Sequence, residues 1–291
     1  MSILVDEKTR VLVQGITGRM GAIQTMHMLK AGTKITAGVT PGRAGSRVEG
    51  VPVYDSVEEA VAEQEINTSV LFVPAPVAEA SCVEAIDAGL KLIILITEHI
   101  PTQDTMRIRA YARSQGAVLI GPTTPGVITP GKCKVGIMPT HLFAPGYVGI
   151  ISRSGTMSYE VAGMLSTEGI GQSTMVGMGG DPIVGTGLVE LLELFQKDPE
   201  TKAVVIHGEI GGTQEERAAA FIREKMKKPV IAFLTGKVAP EGARMGHAGA
   251  VYFGKMGSME NKVKAFREAS VPLAESPGEI IGLVRKALEH S

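Results

Sequence analysis

The chain has 291 residues, of which 44% are hydrophobic, and this length and composition are typical of a globular protein with one or two domains. Its 29 lysine and arginine residues almost balance 30 aspartate and glutamate residues, so the net charge of −1 gives no electrostatic reason to expect nucleic acid or an anionic membrane as a partner. The two cysteines, Cys82 and Cys133, are too few for a disulfide framework, and the first ten residues, MSILVDEKTR, lack the apolar core of a signal peptide, so we expect a cytoplasmic protein.

Short apolar runs alternate with amphipathic segments of helix length in the first part of the chain. Continuous apolar runs are typical of parallel strands covered on both faces, and a strand–helix–strand series predicts right-handed βαβ units. The predicted strands are 10–15, 34–39, 51–54, 69–73, 91–97 and 117–120, and the predicted helices are 20–31, 56–64, 76–88 and 102–115.

A stretch rich in glycine, proline and threonine at 121–146 interrupts this alternation and is the best candidate for a domain boundary. The alternation then resumes, which predicts a second parallel sheet and two α/β domains, 1–125 and 126–291. In the second domain the predicted strands are 148–152, 173–178, 203–207, 229–234 and 271–274, and the predicted helices are 156–168, 186–196, 213–227, 258–269 and 277–289.

The first predicted strand leads into a glycine loop, VLVQGITGRMGAI, that opens a helix. Gly15, Gly18 and Gly21 let the backbone approach a phosphate, and the free N–H groups at the helix N-terminus favour an anion. The spacing is not the usual G-x-G-x-x-G, so tight packing of strand on helix without a ligand is the alternative.

The segment at the end of the second strand, ITAGVTPGRAGSR, distinguishes between nucleotide classes. An NAD site usually has an acidic residue here for the ribose hydroxyls, whereas this segment has Arg43 and Arg47. Guanidinium groups suit phosphates, so the segment favours NADP or coenzyme A, and a solvated loop arginine remains the alternative.

Three loops in the second domain have the form of anion sites at helix N-termini. The first, ISRSGTMSYE, places Ser154, Gly155 and Thr156 at a helix start. The others are VGMGGDPIVGTG and VIHGEIGGTQEE, the second of which places Glu209 at the end of its strand. Because ligands bind beyond the carboxyl ends of parallel strands, three such loops favour an anion site over ordinary α/β turns.

Among the six histidines, His247 has unusual surroundings. It lies in GARMGHAGA, where small neighbours leave room for a bulky group to reach the ring. A nucleophilic histidine needs a neutral ring and an orienting acceptor, and Glu209 on the same sheet edge could be that acceptor. No second histidine or cysteine stands at metal-ligand spacing, so we expect no metal site, and we expect His99 and His207 to be structural.

Several motifs occur in an order that resembles the alpha subunits of succinate–CoA ligases. The motifs are QGITGRMG, GVTPGR, ITEHIPTQD, GVITPGKCKVGIMP, ISRSGTMSYE, GGDP, GEIGG and RMGHAGA. The resemblance covers nearly the whole chain. It implies a Rossmann-like domain that binds coenzyme A, followed by a flavodoxin-like domain whose histidine is phosphorylated. It also implies an ATP-grasp beta subunit that binds ATP or GTP and Mg²⁺.

The resemblance assigns roles to individual residues. His247 would carry the phosphoryl group with Glu209 orienting it, and Tyr159 would face the carboxylic acid, a dicarboxylate. The phosphoryl group would meet Ser154, Gly155 and Thr156. The residues expected to bind coenzyme A are Thr17, Gly18, Arg19, Met20, Arg43, Ile96, Thr97 and Glu98.

The chain departs from the family pattern at four positions. Arg43 replaces a usual lysine and keeps its charge, and Thr124 stands where many members have cysteine. His99 replaces a usual glycine, and His207 replaces an apolar residue. Ligases acting on malate or citrate share the histidine loop, so the acid stays open. Two further functions stay open at this point: an NADP oxidoreductase, which leaves the second domain unexplained, and a non-catalytic CoA-binding module.

Overall fold

The computed structural model describes residues 2–289, which form two compact α/β units. The N-terminal unit contains 4–138 and 183–185, and the C-terminal unit contains 2–3, 139–182 and 186–289. The units divide after Met138, whereas the composition of the chain predicted a boundary after residue 125. No helix within 2–289 is both long and apolar enough to cross a membrane.

The N-terminal unit is built around a sheet with the strand order β3-β4-β2-β1-β5-β6-β7. All its neighbouring strands are parallel except the pair β3–β4, as expected for a Rossmann-like domain. The strands are β1 (Arg10–Gln14), β2 (Lys34–Val39), β3 (Arg47–Val48), β4 (Val51–Tyr54), β5 (Thr68–Leu71), β6 (Leu92–Leu95) and β7 (Val118–Ile120). The helices are α1 (Arg19–Lys30), α2 (Val57–Glu63), α3 (Ala75–Asp87) and α4 (Thr102–Ser114).

The predicted strands of this unit lie where the apolar runs place them. The runs are continuous because β5 and β6 are buried along their whole length. Leu12, Leu71, Ile93 and Leu95 belong to one core with apolar residues of the helices. The two-residue strand β3 was not predicted, since it is too short to carry an alternation signal.

A β-hairpin fills the segment whose composition suggested only a boundary. Its strands are β8 (Gly126–Thr129) and β9 (Cys133–Gly136), and they pair antiparallel. The hairpin joins the N-terminal unit, since Thr33 Oγ1 donates to the carbonyl of Lys134 at 2.6 Å and accepts from its N–H at 3.0 Å. Gly126 has a φ of +107°, and a Cβ there would lie 2.1 Å from the carbonyl oxygen of Val135. Glycine therefore serves close strand packing here rather than a flexible linker.

The C-terminal unit has a parallel sheet with the order β14-β13-β12-β10-β11. It has the helix-covered, parallel form of the flavodoxin-like domain that the resemblance implied. The strands are β10 (Pro145–Ser152), β11 (Gln172–Gly177), β12 (Ala203–Glu209), β13 (Val230–Thr235) and β14 (Leu273–Ala274). The helices are α5 (Gly155–Thr167), α6 (Leu188–Lys197), α7 (Gln214–Lys225), α8 (Met259–Glu268) and α9 (Pro277–Glu289), with a 3₁₀ turn at Thr140–Leu142.

A long loop, 236–258, connects β13 to α8 at the carboxyl edge of this sheet; we call it the histidine loop. It is closed by its own hydrogen bonds, from Gly242 N–H to the Tyr252 carbonyl and from Met245 N–H to the Ala250 carbonyl. Its base is tied to the β12–α7 turn by a bond from Gly211 N–H to the Gly257 carbonyl. Long ordered loops of this kind are commonly functional.

Candidate active site

His247 and Glu209 form a hydrogen-bonded dyad at the carboxyl edge of the C-terminal sheet. Glu209 is the last residue of β12, and the register pairs it with Thr235, the last residue of β13. The histidine loop therefore begins beside Glu209 and returns His247 to it, with Nδ1 and Oε2 2.9 Å apart. A carboxylate only accepts hydrogen bonds, so Nδ1 carries the proton and Nε2 of the neutral ring keeps its lone pair.

The pairing shifts the pKa values of both members in opposite directions. The hydrogen bond to Glu209 raises the pKa of His247 above its ordinary value, against burial, which lowers it. Burial raises the pKa of Glu209, but the hydrogen bond from His247 and the charges of His247 and Arg153 outweigh it, so the net shift is downward. Glu209 is therefore an anion at neutral pH and can orient the ring and stabilise positive charge on it.

Glycines in two neighbouring loops leave the space that the imidazole ring and its own loop occupy. A Cβ at Gly180 would lie 2.3 Å from Cγ of His247, and one at Gly211 would lie 2.0 Å from the carbonyl oxygen of Gly249. The Gly249 N–H also donates to the Gly180 carbonyl at 2.9 Å. The GGDP motif thus forms the wall behind the imidazole.

The N-terminus of α5 lies at the same sheet edge. Ser154 is its N-cap and accepts from the N–H of Met157 at 3.4 Å, and Gly155 and Thr156 are the first two residues of the helix. The first N–H groups of a helix have no partner within it, which suits an anionic group. Arg153 ties this end to the dyad, because its Nη1 donates to the Glu209 carbonyl at 3.1 Å.

Tyr159 lies on α5 one turn beyond this N-terminus and is half-buried. Its ring packs edge-on against Phe143, with centroids 6.3 Å apart, and burial raises the pKa of its hydroxyl to about 12. The hydroxyl is therefore a neutral donor at physiological pH. Within residues 2–289 the hydrogen bonds of the dyad do not include Tyr159.

A cavity of about 440 Å³ opens at the carboxyl edge of the N-terminal sheet. Thr17 and Gly18 line it. Residues to which the sequence assigned no individual role also line it; Gln14, Val39, Thr40 and Pro41 lie within the quoted motifs, and Phe72, Val77, Ser81 and Glu84 lie outside them. Thr17 Oγ1 lies 3.1 Å from Thr40 Oγ1, which joins the first glycine loop to the end of β2. A Cβ at Gly21 would lie 2.2 Å from the Gly15 carbonyl oxygen, so part of the glycine pattern serves strand–helix packing.

Two family models match the chain. The first, described as a CoA binding domain, matches residues 6–99, and the second, described as CoA-ligase, matches residues 151–271. The chain is 55% identical over 288 residues to an alpha subunit of the ADP-forming succinate–CoA ligase of Archaeoglobus fulgidus, covering 99% of this chain and 100% of the relative. It is 53% identical to the corresponding subunit of Methanothermobacter thermautotrophicus, covering 98% and 97%.

The chain belongs to the succinate–CoA ligase alpha-subunit family. Among solved structures it resembles an ATP citrate lyase of Methanosaeta concilii in complex with (3S)-citryl-CoA, with a TM-score of 0.91 and 26% identity. That match covers 99% of this chain and 51% of the lyase, so the chain spans about half of the larger protein. The family and the two-domain α/β fold inferred from the motifs are thereby confirmed.

The other expected coenzyme A residues of this succinate–CoA ligase family member are not among the residues that line the cavity. Arg19 and Met20 begin α1 with exposed side chains. Arg43 is exposed on the loop after β2, where Asp55 accepts from its N–H at 2.9 Å. Ile96, Thr97 and Glu98 follow β6, and Thr97 Oγ1 donates to the carbonyl of Val73, a cavity residue, at 2.7 Å.

The departures from the family pattern have local structural explanations. Thr124 is buried and accepts from the Gly126 N–H at 2.9 Å, so its hydroxyl supports the turn into β8. His99 has a φ of +62°, a left-handed conformation that suits the glycine usual in the family, and its side chain is exposed. His207 is fully buried between Ser152 Oγ at 3.1 Å and Thr235 Oγ1 at 3.0 Å, and burial lowers its pKa to about 4.

Proposed function

We propose that the chain is the alpha subunit of a succinate–CoA ligase, ADP- or GDP-forming, and that His247 is its phosphorylated residue. The observation that carries the proposal is the dyad, in which Glu209 holds the proton on Nδ1 and leaves the Nε2 lone pair to attack. In this proposal the site residues predicted from the sequence have the roles that the family resemblance implies.

The reaction proceeds in three transfers. Nε2 of His247 attacks the γ-phosphorus of the nucleoside triphosphate, and the bond to the diphosphate breaks. A carboxylate oxygen of succinate then attacks the phosphorus, the P–N bond breaks, and succinyl phosphate forms. The thiolate of coenzyme A attacks the acyl carbon, the C–O bond to phosphate breaks, and succinyl-CoA and inorganic phosphate leave. All three steps are reversible, and the intermediates avoid direct attack on an unactivated carboxylate.

The N-terminus of α5 stabilises the phosphoryl group in this proposal. Gly155 and Thr156 supply N–H groups and the positive end of the helix dipole, and both favour a dianion. Tyr159, a neutral donor, faces the dicarboxylate. Glu209 compensates the positive charge that develops on His247 as the P–N bond forms.

Coenzyme A is assigned to the cavity of the N-terminal unit, because the CoA binding domain match covers its loops and Arg43 suits a phosphate. The match favours coenzyme A over NADP, which the residues left open. In Asp55→Ala the N–H groups of Arg43 and Ala44 lose their shared acceptor. We expect a KM for coenzyme A raised about tenfold, by the loss of about 1.4 kcal/mol, with phosphorylation of His247 unchanged.

A beta subunit of the ATP-grasp type is the proposed partner, and it binds most of the nucleotide and its Mg²⁺. The histidine loop supports this proposal, since it exposes Val238, Met245, Phe253 and Met256, with Val238 93% exposed. Several exposed apolar side chains on one loop are a feature of interaction surfaces. We place the complex in the cytoplasm, consistent with two buried, unpaired cysteines.

The deciding experiment incubates the complex of this chain and its cognate beta subunit with γ-³²P-labelled ATP or GTP, Mg²⁺ and a panel of dicarboxylic acids. We expect an acid-labile label on the alpha chain, its discharge by succinate and coenzyme A, and no label in His247→Ala. A labelled His247→Ala variant that still forms acyl-CoA would refute the proposal. His27→Ala, a change on α1 of the other unit, is the matched control and should be labelled as the wild type is.

A related ligase for another acid is the second candidate. The fold match to an ATP citrate lyase in complex with (3S)-citryl-CoA favours it, because the same architecture there accompanies a different acid. The acid panel distinguishes the two: malate or citrate discharging the phosphoenzyme faster than succinate would assign this chain to that class.

A further inference from the structure

Three charged side chains are buried behind the dyad. Arg153 precedes α5, Glu215 is in the first turn of α7, and Lys262 is in α8. Their side chains are 5%, 0% and 0% exposed. We call these three residues the buried cluster. Glu216, which is partly exposed, accepts from Lys262 at 3.1 Å and completes its charge balance.

Glu215 joins the two cations and also holds the backbone of the dyad. Its Oε1 accepts from Arg153 Nη1 at 3.0 Å and from the N–H of Glu209 at 3.1 Å. Its Oε2 accepts from Lys262 Nζ at 2.5 Å. Lys262 in turn donates to the carbonyl of Gly212 at 3.1 Å. These bonds fix the turn that begins with Glu209 from both ends.

Arg153 then links this turn to the histidine loop. Its Nη1 has two hydrogens, which it shares among Glu215 Oε1 and the carbonyls of Glu209 at 3.1 Å and Gly211 at 3.0 Å, and its Nη2 lies 3.4 Å from the carbonyl of Gly249. Gly249 is two residues beyond His247. A single guanidinium therefore spans both segments that carry the dyad, and its planar fork holds these acceptors in a fixed geometry.

Stability alone does not explain a cluster of this kind. Removing charges from water costs several kcal/mol per ion, and replacing a buried ionic triad with apolar residues of similar size is often neutral or stabilising. What the cluster does is hold carbonyl and N–H groups of the backbone in fixed directions. Those groups belong to the β12–α7 turn and to the histidine loop, and both carry a member of the dyad.

We infer that Arg153, Glu215 and Lys262 are positioning residues that set the distance and orientation of His247 against Glu209 for phosphoryl transfer. The inference deepens the proposed function and rests on it. Arg153 also acts through its charge, which lowers the pKa values of both His247 and Glu209. It thereby opposes protonation of Nε2, which would remove the nucleophilic lone pair.

The test replaces the cluster with apolar side chains in the triple variant R153M/E215L/K262M, within the complex with the beta subunit. We expect a single-turnover rate constant for His247 phosphorylation reduced about 100-fold, the effect of a misplacement near 1 Å. Because a rate constant reports only folded molecules, a partial loss of stability does not mimic this result. The control variant R285M/E168Q removes an exposed ion pair of the same unit and should keep the wild-type rate.

A second measurement follows the ring itself. In the complex labelled with ¹⁵N-histidine, we expect the Nδ1–H signal of His247 to lose its hydrogen-bonded shift in the triple variant. We also expect the pKa of His247 to fall toward its ordinary value, because the hydrogen bond to Glu209 raises this pKa more than the charge of Arg153 lowers it. R153K retains the charge but lacks the planar fork, so we expect it to lose phosphorylation rate as well. Wild-type rate and titration of His247 in either cluster variant would overturn the inference.

The two proposals fail in different ways. An unphosphorylated wild-type complex would refute the proposed function. A phosphorylated wild type with unchanged cluster variants would refute only the positioning role.

Discussion

Gly180→Ala tests whether the dyad depends on the clearance behind the imidazole. A Cβ at this position would lie 2.3 Å from Cγ, 2.7 Å from Cβ and 2.8 Å from Cδ2 of His247. Carbon atoms pack at roughly 3.5 Å or more, so the ring must retreat by about 1.2 Å. The bond from Nδ1 to Glu209 is 2.9 Å long, and a displacement of this size takes it beyond hydrogen-bond range.

The expected result is a phosphorylation rate reduced about 100-fold, because a misplacement near 1 Å at a reacting centre has effects of that size. The assay is rapid-quench labelling of the complex with γ-³²P-labelled nucleotide, together with an NMR titration of His247. The pKa of His247 should fall toward its ordinary value, since its largest upward contribution is the lost hydrogen bond.

Gly282→Ala is the matched control, since it lies in α9 and a Cβ there meets no atom within 4 Å. It should keep the wild-type rate and gain up to about 1 kcal/mol of stability from helix propensity. A wild-type rate and titration in Gly180→Ala would show that the loops yield without moving the ring, and the proposed need for clearance would be refuted.

Three further predictions concern charge and backbone conformation. The phosphorylation rate should fall as pH drops through the raised pKa of His247, because Nε2 is then protonated. In Glu209→Gln this decline should move to lower pH, and the plateau rate should be lower. Rate–pH profiles of the two proteins measure both effects. The pKa of His207 is lowered to about 4, so the folded state binds fewer protons than the unfolded state between pH 4 and the ordinary value near 6.5. Stability is therefore lost as pH falls through this window, by up to about 3 kcal/mol, and urea unfolding of His207→Leu at pH 7.5 and 4.5 should show less of this loss. His99→Gly should raise the free energy of unfolding by about 1 kcal/mol, because it relieves a φ of +62°, and a drop in the urea midpoint would contradict this.

Most of the fold was predictable because both sheets are largely parallel and covered by helices. Their strands are continuous apolar runs, and the glycine loops mark the carboxyl edges. The hairpin β8–β9 was not predictable, since Gly126 and Gly136 look like linker glycines until their close contact is seen. Composition alone does not distinguish a glycine that loosens a chain from one that lets two backbones touch.

The sequence predicted which loops meet at the candidate site, but not the buried side chains that hold those loops in place. Glu215 and Lys262 look like solvated helix positions in QEERAAAFIREK and MENKVKAFRE. A signal is nevertheless present. Glu215 lies on the helical face of the buried Ala218, Ala219 and Ile222, and Lys262 lies one turn before the buried Phe266. A charged residue on an apolar helix face indicates a buried partner, which only the tertiary structure identifies.

His207 and His247 show what the edge of a parallel sheet does and does not determine. His207 lies in β12 two residues before Glu209, and the histidine loop brings His247 to the same end of that strand. His207 is enclosed between two hydroxyl groups and stays neutral because burial lowers its pKa to about 4, so it joins strands and has no room for an electrophile. His247 lies on a loop, is 27% exposed and donates to a carboxylate, so its Nε2 is oriented and reachable. The sheet edge thus places both histidines near Glu209, whereas the hydrogen-bond partner and the space beside the ring favour His247 as the proposed nucleophile.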